Sequence, residues 1–122
     1  MSKKILLAEH DSFLVSVYVN QLRKSGYSIS IAPDGEVIIS RIKSIGPDLL
    51  VLDAGLPKTD GLNILQTIRD ELGLKELKVV LLSNFDQQEY VEKKSDLGII
   101  KTFLKAENTA EEIADEIQKI LS

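Results

Sequence analysis

The feature that most constrains the fold is the run Leu49-Leu50-Val51-Leu52, which leads straight into Asp53. A continuous apolar run of strand length, with no polar alternation, suits a β-strand buried on both faces. A strand covered on both faces needs helices above and below it, which points to a parallel sheet in an α/β protein. Gly55, Pro57 and Asp60-Gly61 follow within eight positions and read as a loop. Asp53 is therefore placed where a buried strand opens into a loop, a common position for a reactive group.

The same pattern recurs along the chain. Lys4 to Ala8 is a short apolar run ending at Glu9-His10-Asp11, and Val79 to Leu82 is another, ending at Ser83-Asn84. Ser28 to Ala32 predicts a brief second strand. Ile99 to Leu104 predicts a fifth, interrupted by Lys101 and followed by Lys105. Helical spacing fills the intervals. Asp11 or Ser12 caps a helix to about Lys24 carrying Leu14, Val17, Tyr18 and Leu22, and Gly26 ends it. Ile38, Ile42 and Ile45 predict a second helix, stopped by Gly46-Pro47; Ile64, Leu65, Ile68 and Leu72 predict a third. Residues 86–96 predict a fourth helix with few apolar anchors, among them Tyr90 and Val91, and the last helix begins near Asn108 or Thr109 and buries Ile113, Ile117, Ile120 and Leu121. Five strands alternating with five helices fit a doubly wound, flavodoxin-like (βα)5 parallel sheet in the order 2-1-3-4-5.

At 122 residues the chain reads as one domain, residues 1–122, with no internal repeat or linker. A formal charge of -4 argues against direct contact of this domain with nucleic acid or an anionic membrane. No cysteine is present, which removes disulfides and thiolate metal sites and favours a cytoplasmic location. No apolar run approaches a membrane span, and the basic start, Lys3-Lys4, lacks the apolar stretch of a signal peptide.

In a parallel sheet the carboxyl ends of the strands share one edge, where ligands bind at the switch point between the first and third strands. That edge receives Glu9, His10 and Asp11, Asp53, Ser83 and Lys105. Clustered carboxylates favour a hard cation such as Mg²⁺, a lysine and a hydroxyl serve phosphoryl oxygens, and a central aspartate can be a nucleophile. This combination predicts a phosphoryl site. A haloacid-dehalogenase-type phosphatase would need a second aspartate where Gly55 stands, and the acidic cluster after the first strand would repel the phosphate of a flavin.

The segments KKILLAEHDSFL, PDLLVLDAGLPKTDGL, VVLLSN and IIKTFLKAE, in this order and at these intervals, resemble the receiver domain of bacterial two-component response regulators, including chemotaxis regulators. The resemblance implies that Asp53 accepts a phosphoryl group from a sensor histidine kinase or a small phosphodonor, with Ser83 and Lys105 contacting the phosphoryl oxygens. It implies Mg²⁺ or Mn²⁺ held by Glu9, Asp53, the Gly55 backbone carbonyl and either Asp11 or His10. It also implies a protein target on the face formed by the fourth helix, last strand and last helix, with a phosphorylation-dependent homodimer as one form of that contact. Such a domain is not a turnover enzyme, since it acts only on its own phosphorylation state.

Four positions depart from the family pattern, one of them Ala106, where a proline often follows the lysine. His10 stands where the second acidic residue is usual, and imidazole is a poor Mg²⁺ ligand. Thr102 occupies the usual place of the switch aromatic; Phe103, one residue on, points to the opposite face of the strand. Asn84 replaces the usual small residue after Ser83. His10 and Thr102 motivate the alternative of a pseudo-receiver, an interaction module of the same fold that works without phosphate.

Overall fold

The computed structural model describes residues 2–57, 60–84 and 96–122. Its strands are β1 (Lys4–Ala8), β2 (Ser28–Ala32), β3 (Leu49–Asp53), β4 (Lys78–Ser83) and β5 (Ile99–Leu104). They form one sheet in the order β2-β1-β3-β4-β5, every neighbouring pair parallel. The helices are α1 (Ser12–Lys24), α2 (Gly35–Ile45), α3 (Gly61–Asp70) and the last helix (Ala110–Leu121). The predicted helix at 86–96 lies, up to residue 95, outside the described residues, as do Lys58 and Thr59 in the loop after β3. Among the described residues no helix is long and apolar enough to cross a membrane.

All five residues of β3 are buried, as the unbroken apolar run requires. Alternate side chains feed two cores. Leu50 and Leu52 join Leu6, Val79 and Leu81 beneath α2 and α3, through Ile38, Ile42, Leu65 and Ile68. Leu49 and Val51 join Ile5, Leu7, Val80, Leu82 and Phe103 beneath α1 and the last helix, through Tyr18, Leu22, Ile113 and Ile117. Burying each such aliphatic side chain contributes roughly 1.5–3 kcal/mol, so the central strand holds both layers in place.

Local signals set the helix ends. The Asp11 side chain accepts from the backbone N–H groups of Phe13 and Leu14, making Asp11 rather than Ser12 the cap of α1. Asp34 and Asp60 cap α2 and α3 in the same way. Gly46, at φ 62°, closes α2 in the left-handed conformation that glycine enters without a Cβ penalty. The last helix starts with a capping box, Thr109 and Glu112 each bonding the other's backbone N–H.

The Lys101 interruption of β5 has a structural counterpart. Val79 pairs with Ile99 but Val80 pairs with Lys101, so the ladder slips past Ile100, which is left 43% exposed. The slip re-aims the rest of the strand, so that Thr102 pairs with Leu81 while Phe103 enters the core under α1 and the last helix. Phe103 is thus committed to the face opposite Thr102.

Candidate functional site

Parallel pairing brings the carboxyl ends of β1, β3, β4 and β5 to one edge, and the polar residues placed there by the sequence are buried together. Glu9 is 0% exposed, Asp53 1% and Ser83 1%. The Lys105 side chain is 7% exposed, whereas that of His10 is 44% exposed and forms the rim. Burying ionised groups is costly unless they are paired, and here the pairing is reciprocal. Lys105 Nζ sits 2.6 Å from Glu9 Oε1 and 3.3 Å from Asp53 Oδ1, linking the two carboxylates with one ammonium.

Each carboxylate is also held by the backbone. Glu9 Oε2 accepts from the N–H groups of His10 (3.0 Å) and Asp11 (3.1 Å). Asp53 Oδ1 accepts from the Gly55 N–H at 2.9 Å, a bond made in the loop that Gly55 begins. The chain after Asp53 is pinned by the Ala54 N–H to the Leu82 carbonyl (2.8 Å), and the chain after β5 by the Lys105 N–H to the Ser83 carbonyl (2.7 Å). The lysine and the aspartate are therefore positioned through the same strand, β4. Despite these partners, burial holds the Glu9 carboxyl above the usual range; Lys105 and the Asp11 N–H pull it down, and the Asp53 charge pushes it up. Tyr18, buried in α1 behind the site, is pushed up to about 12 by burial and then by the charges of Glu9, Asp53 and Asp11.

His10 completes the cluster. Its Nδ1 lies 3.1 Å from Asp53 Oδ2 and 3.5 Å from Glu9 Oε2. Beside two carboxylate oxygens, which only accept, a neutral imidazole keeps its proton on Nδ1 and donates. Glu9, His10 and Asp53 are a group whose donor atoms all fall within 4.8 Å of one another. Asp11, the neighbouring carboxylate after β1, directs its Oδ1 at the α1 cap. A divalent cation fits this edge through Glu9, Asp53 and His10, but with one ring nitrogen in an otherwise oxygen donor set.

Thr102 faces away from Phe103 and its Oγ1 is buried with no hydrogen-bond partner among the described residues. A groove of about 380 Å³ leads from Glu9 and His10 along α1, walled by Val15, Val19, Ile31 and Pro33. Phe13, on the first turn of α1, is 72% exposed.

One structurally important residue was not singled out in the sequence. Arg69 in α3 is only 5% exposed; its Nε donates to the Leu97 carbonyl (2.8 Å), Nη1 to that of Leu74 (2.7 Å) and Nη2 to that of Gly98 (3.4 Å). It ties the approach to β5 onto α3. Its spacing carried a signal, since Arg69 lies four residues after Leu65, on the buried stripe of the helix.

Comparison with known proteins agrees with this geometry. Residues 5–118 match the family profile described as Response regulator receiver domain. The alkaline phosphatase synthesis transcriptional regulatory protein PhoP of Bacillus subtilis is 37% identical over 71 residues, which cover 58% of this chain and 30% of that protein. The sporulation initiation phosphotransferase F of the same organism is 27% identical over 124 residues, covering 99% of this chain and 95% of that protein. The chain thus spans under a third of the first relative and nearly all of the second. Among solved structures, a CheY-like receiver domain protein from Methanospirillum hungatei superposes with a TM-score of 0.89 at 19% identity, covering 99% of this chain and 94% of that one. The phosphorylated cyanobacterial phytochrome response regulator RcpA gives 0.80 at 25% identity, covering 98% and 91%.

Proposed function

This chain belongs to the response regulator receiver domain family, and on that premise we propose that it is a phosphoacceptor switch with Asp53 as the acceptor. The observation that carries the reading is the pairing of Lys105 with both buried carboxylates, Glu9 and Asp53, at the strand edge. Asp53 Oδ1 is engaged by Lys105 and the Gly55 N–H, and Oδ2 lies on the His10 side; the Asp53 carboxylate forms the bond to phosphorus. As that bond forms, the bond to the donor breaks, and the leaving group is the imidazole of a phosphohistidine or the carboxylate of an acyl phosphate. The departing electron pair stays with the leaving group, and the product is an aspartyl phosphate. Lys105 stabilises the charge on the phosphoryl oxygens, and the Ser83 hydroxyl donates to one of them.

Receiver domains generally bind Mg²⁺ at the acidic pocket, and the residues that would hold Mg²⁺ or Mn²⁺ here are Glu9, Asp53, His10 and the Gly55 carbonyl. The bound ion supplies neutralising charge to the phosphoryl oxygens. His10 weakens or alters that binding, since its nitrogen replaces a carboxylate oxygen. Phosphorylation draws Ser83 toward the new group and shifts the equilibrium between two packings of the face that includes β5 and the last helix. A protein target reads that face. Catalysis extends only to the domain's own phosphorylation and dephosphorylation. The test is intact-mass spectrometry after incubation with acetyl phosphate and several divalent ions. A single phosphoryl adduct mapping to Asp53, absent in Asp53→Asn, is expected; no adduct with any ion sinks the reading.

A second reading, the pseudo-receiver, draws on the His10 contact with Asp53 Oδ2 and on Thr102 at the switch position. It expects Asp53→Asn to retain full partner binding and regulation.

A further inference from the structure

The donor set at the strand edge is not that of a pure oxygen site. We infer that Glu9, His10 and Asp53 form a mixed nitrogen–oxygen centre that selects Co²⁺, Ni²⁺ or Zn²⁺ over Mg²⁺; the inference rests on the proposed phosphoryl site being the cation site. Three observations carry it. The His10 ring nitrogen already faces the cluster, 3.1 Å from Asp53 Oδ2 and 3.5 Å from Glu9 Oε2. Metal–donor bonds of about 2.0–2.1 Å place neighbouring donors roughly 3.0–3.5 Å apart, across an octahedral or a tetrahedral edge, so both separations suit a shared ion.

The other carboxylate that could restore an oxygen set is turned to the start of α1, where one of its oxygens is committed. Asp11 Oδ1 holds the Phe13 and Leu14 N–H groups of α1, and releasing it would uncap the helix. Finally, the local charge is low for a hard cation. Glu9 and Asp53 bring two negative charges and Lys105 returns one positive, leaving a single negative charge. Mg²⁺ sheds water reluctantly and needs oxygen ligands and charge to do so, whereas affinity of the later first-row ions for imidazole-containing sites rises along their series. Ligation moves the ring proton from Nδ1 to Nε2, so the imidazole changes from donor to Asp53 into ligand beside it.

His10 is the chain's one histidine, which makes the test direct. In the ¹⁵N-labelled 122-residue chain, one equivalent of Zn²⁺ is expected to move the His10 Nδ1 resonance, and a large excess of Mg²⁺ to leave it in place. Calorimetric titration is expected to show Zn²⁺ preferred over Mg²⁺ by about 100-fold or more. His10→Asp should cut that preference at least about tenfold, as should His10→Gln if the aspartate variant folds poorly. Asp53→Asn should weaken Zn²⁺ binding about tenfold or more. Equal Zn²⁺ affinity in Asp53→Asn would mean capture by an isolated surface imidazole, and would overturn the inference. So would a preference unchanged by His10→Asp or His10→Gln, or an Nδ1 shift produced by Mg²⁺. If Zn²⁺ binds as described but no ion supports an acyl phosphate, the phosphoacceptor reading fails while the metal assignment stands.

Discussion

Replacing Arg69 by alanine is the most demanding stability test of the architecture, because the guanidinium is buried and holds two loops at once. It makes two short charge-assisted bonds, to the Leu97 and Leu74 carbonyls at 2.8 and 2.7 Å, and a long one to Gly98 at 3.4 Å. Hydrogen bonds from a charged donor contribute about 1.5–3 kcal/mol each, so the two short ones are worth roughly 3–6 kcal/mol. Removing the side chain also leaves the Leu97 carbonyl short of its donor. Against this stands the desolvation of the cation, which lowers the Arg69 pKa and is relieved on truncation. The net expectation is a loss of about 3–4 kcal/mol, a large part of the 5–15 kcal/mol typical of a domain. Arg69→Lys should lose about half as much, because one ammonium cannot reach carbonyls on both sides of the planar fork. Urea unfolding should show the midpoint drop with an unchanged m-value, and amide exchange should accelerate first at Gly98 and Ile99. A loss under about 1 kcal/mol in Arg69→Ala would refute the view that α3 anchors the approach to β5.

Further outcomes follow from other groups. Gly98→Ala, at φ +71° and with its Cβ 3.1 Å from Arg69 Nη2, should destabilise by more than 1 kcal/mol in roughly the same unfolding assay, through both backbone strain and displacement of the guanidinium. Glu9 has a raised carboxyl pKa, so the folded state holds its proton more tightly than the unfolded chain; this group's contribution to stability falls as pH rises above 4.5. The stability gap between wild type and Glu9→Gln should therefore shift toward the variant as pH rises above 4.5; a pH-independent gap removes that assignment. Tyr18, pushed up to about 12, should ionise after the model phenol in an ultraviolet titration, and stability should decline as pH rises from 10 toward 12. Thr109→Ala, which breaks the capping box, should cost about 1 kcal/mol without changing acetyl phosphate reactivity.

The parts of the molecule legible in the sequence are those governed by near neighbours. Runs such as Leu49 to Leu52 and Val79 to Leu82 read as strands covered on both sides, and Gly46-Pro47 marks the end of α2 within a few residues. From the strands alone the edge bearing Glu9, Asp53, Ser83 and Lys105 follows, because parallel strands share a polarity. What the sequence left open depends on which way a side chain turns at a strand end. Asp11 and His10 are adjacent and both could face the cluster; the start of α1 decides between them, since a capping aspartate must direct its oxygen at the helix's own N–H groups. Arg69 was hidden for a related reason. A basic residue in a helix reads as solvent-facing, and only carbonyls contributed by residues up to 29 positions away make its burial favourable.

The slip at Ile100 belongs to the same class, and it bears on how the switch works. A break in period within IIKTFL was visible as Lys101, but the sequence does not say that the residue left over would be Ile100. Because of the slip, Lys101 lands on the last helix, 3.2 Å from Glu116 and over the Phe103 ring, while Thr102 faces the other core, its hydroxyl without a hydrogen-bond partner among the described residues. An unsatisfied buried hydroxyl costs about 1–3 kcal/mol. A second packing that gives Thr102 Oγ1 a partner would recover that cost, so the residue can bias a two-state equilibrium without an aromatic ring. Thr102→Val keeps the shape and removes the hydroxyl. It should stabilise the unphosphorylated protein by roughly 1 kcal/mol in urea unfolding and reduce the response to beryllofluoride, read as the change in amide exchange along β5. Stability and response both unchanged in Thr102→Val would show that the hydroxyl takes no part.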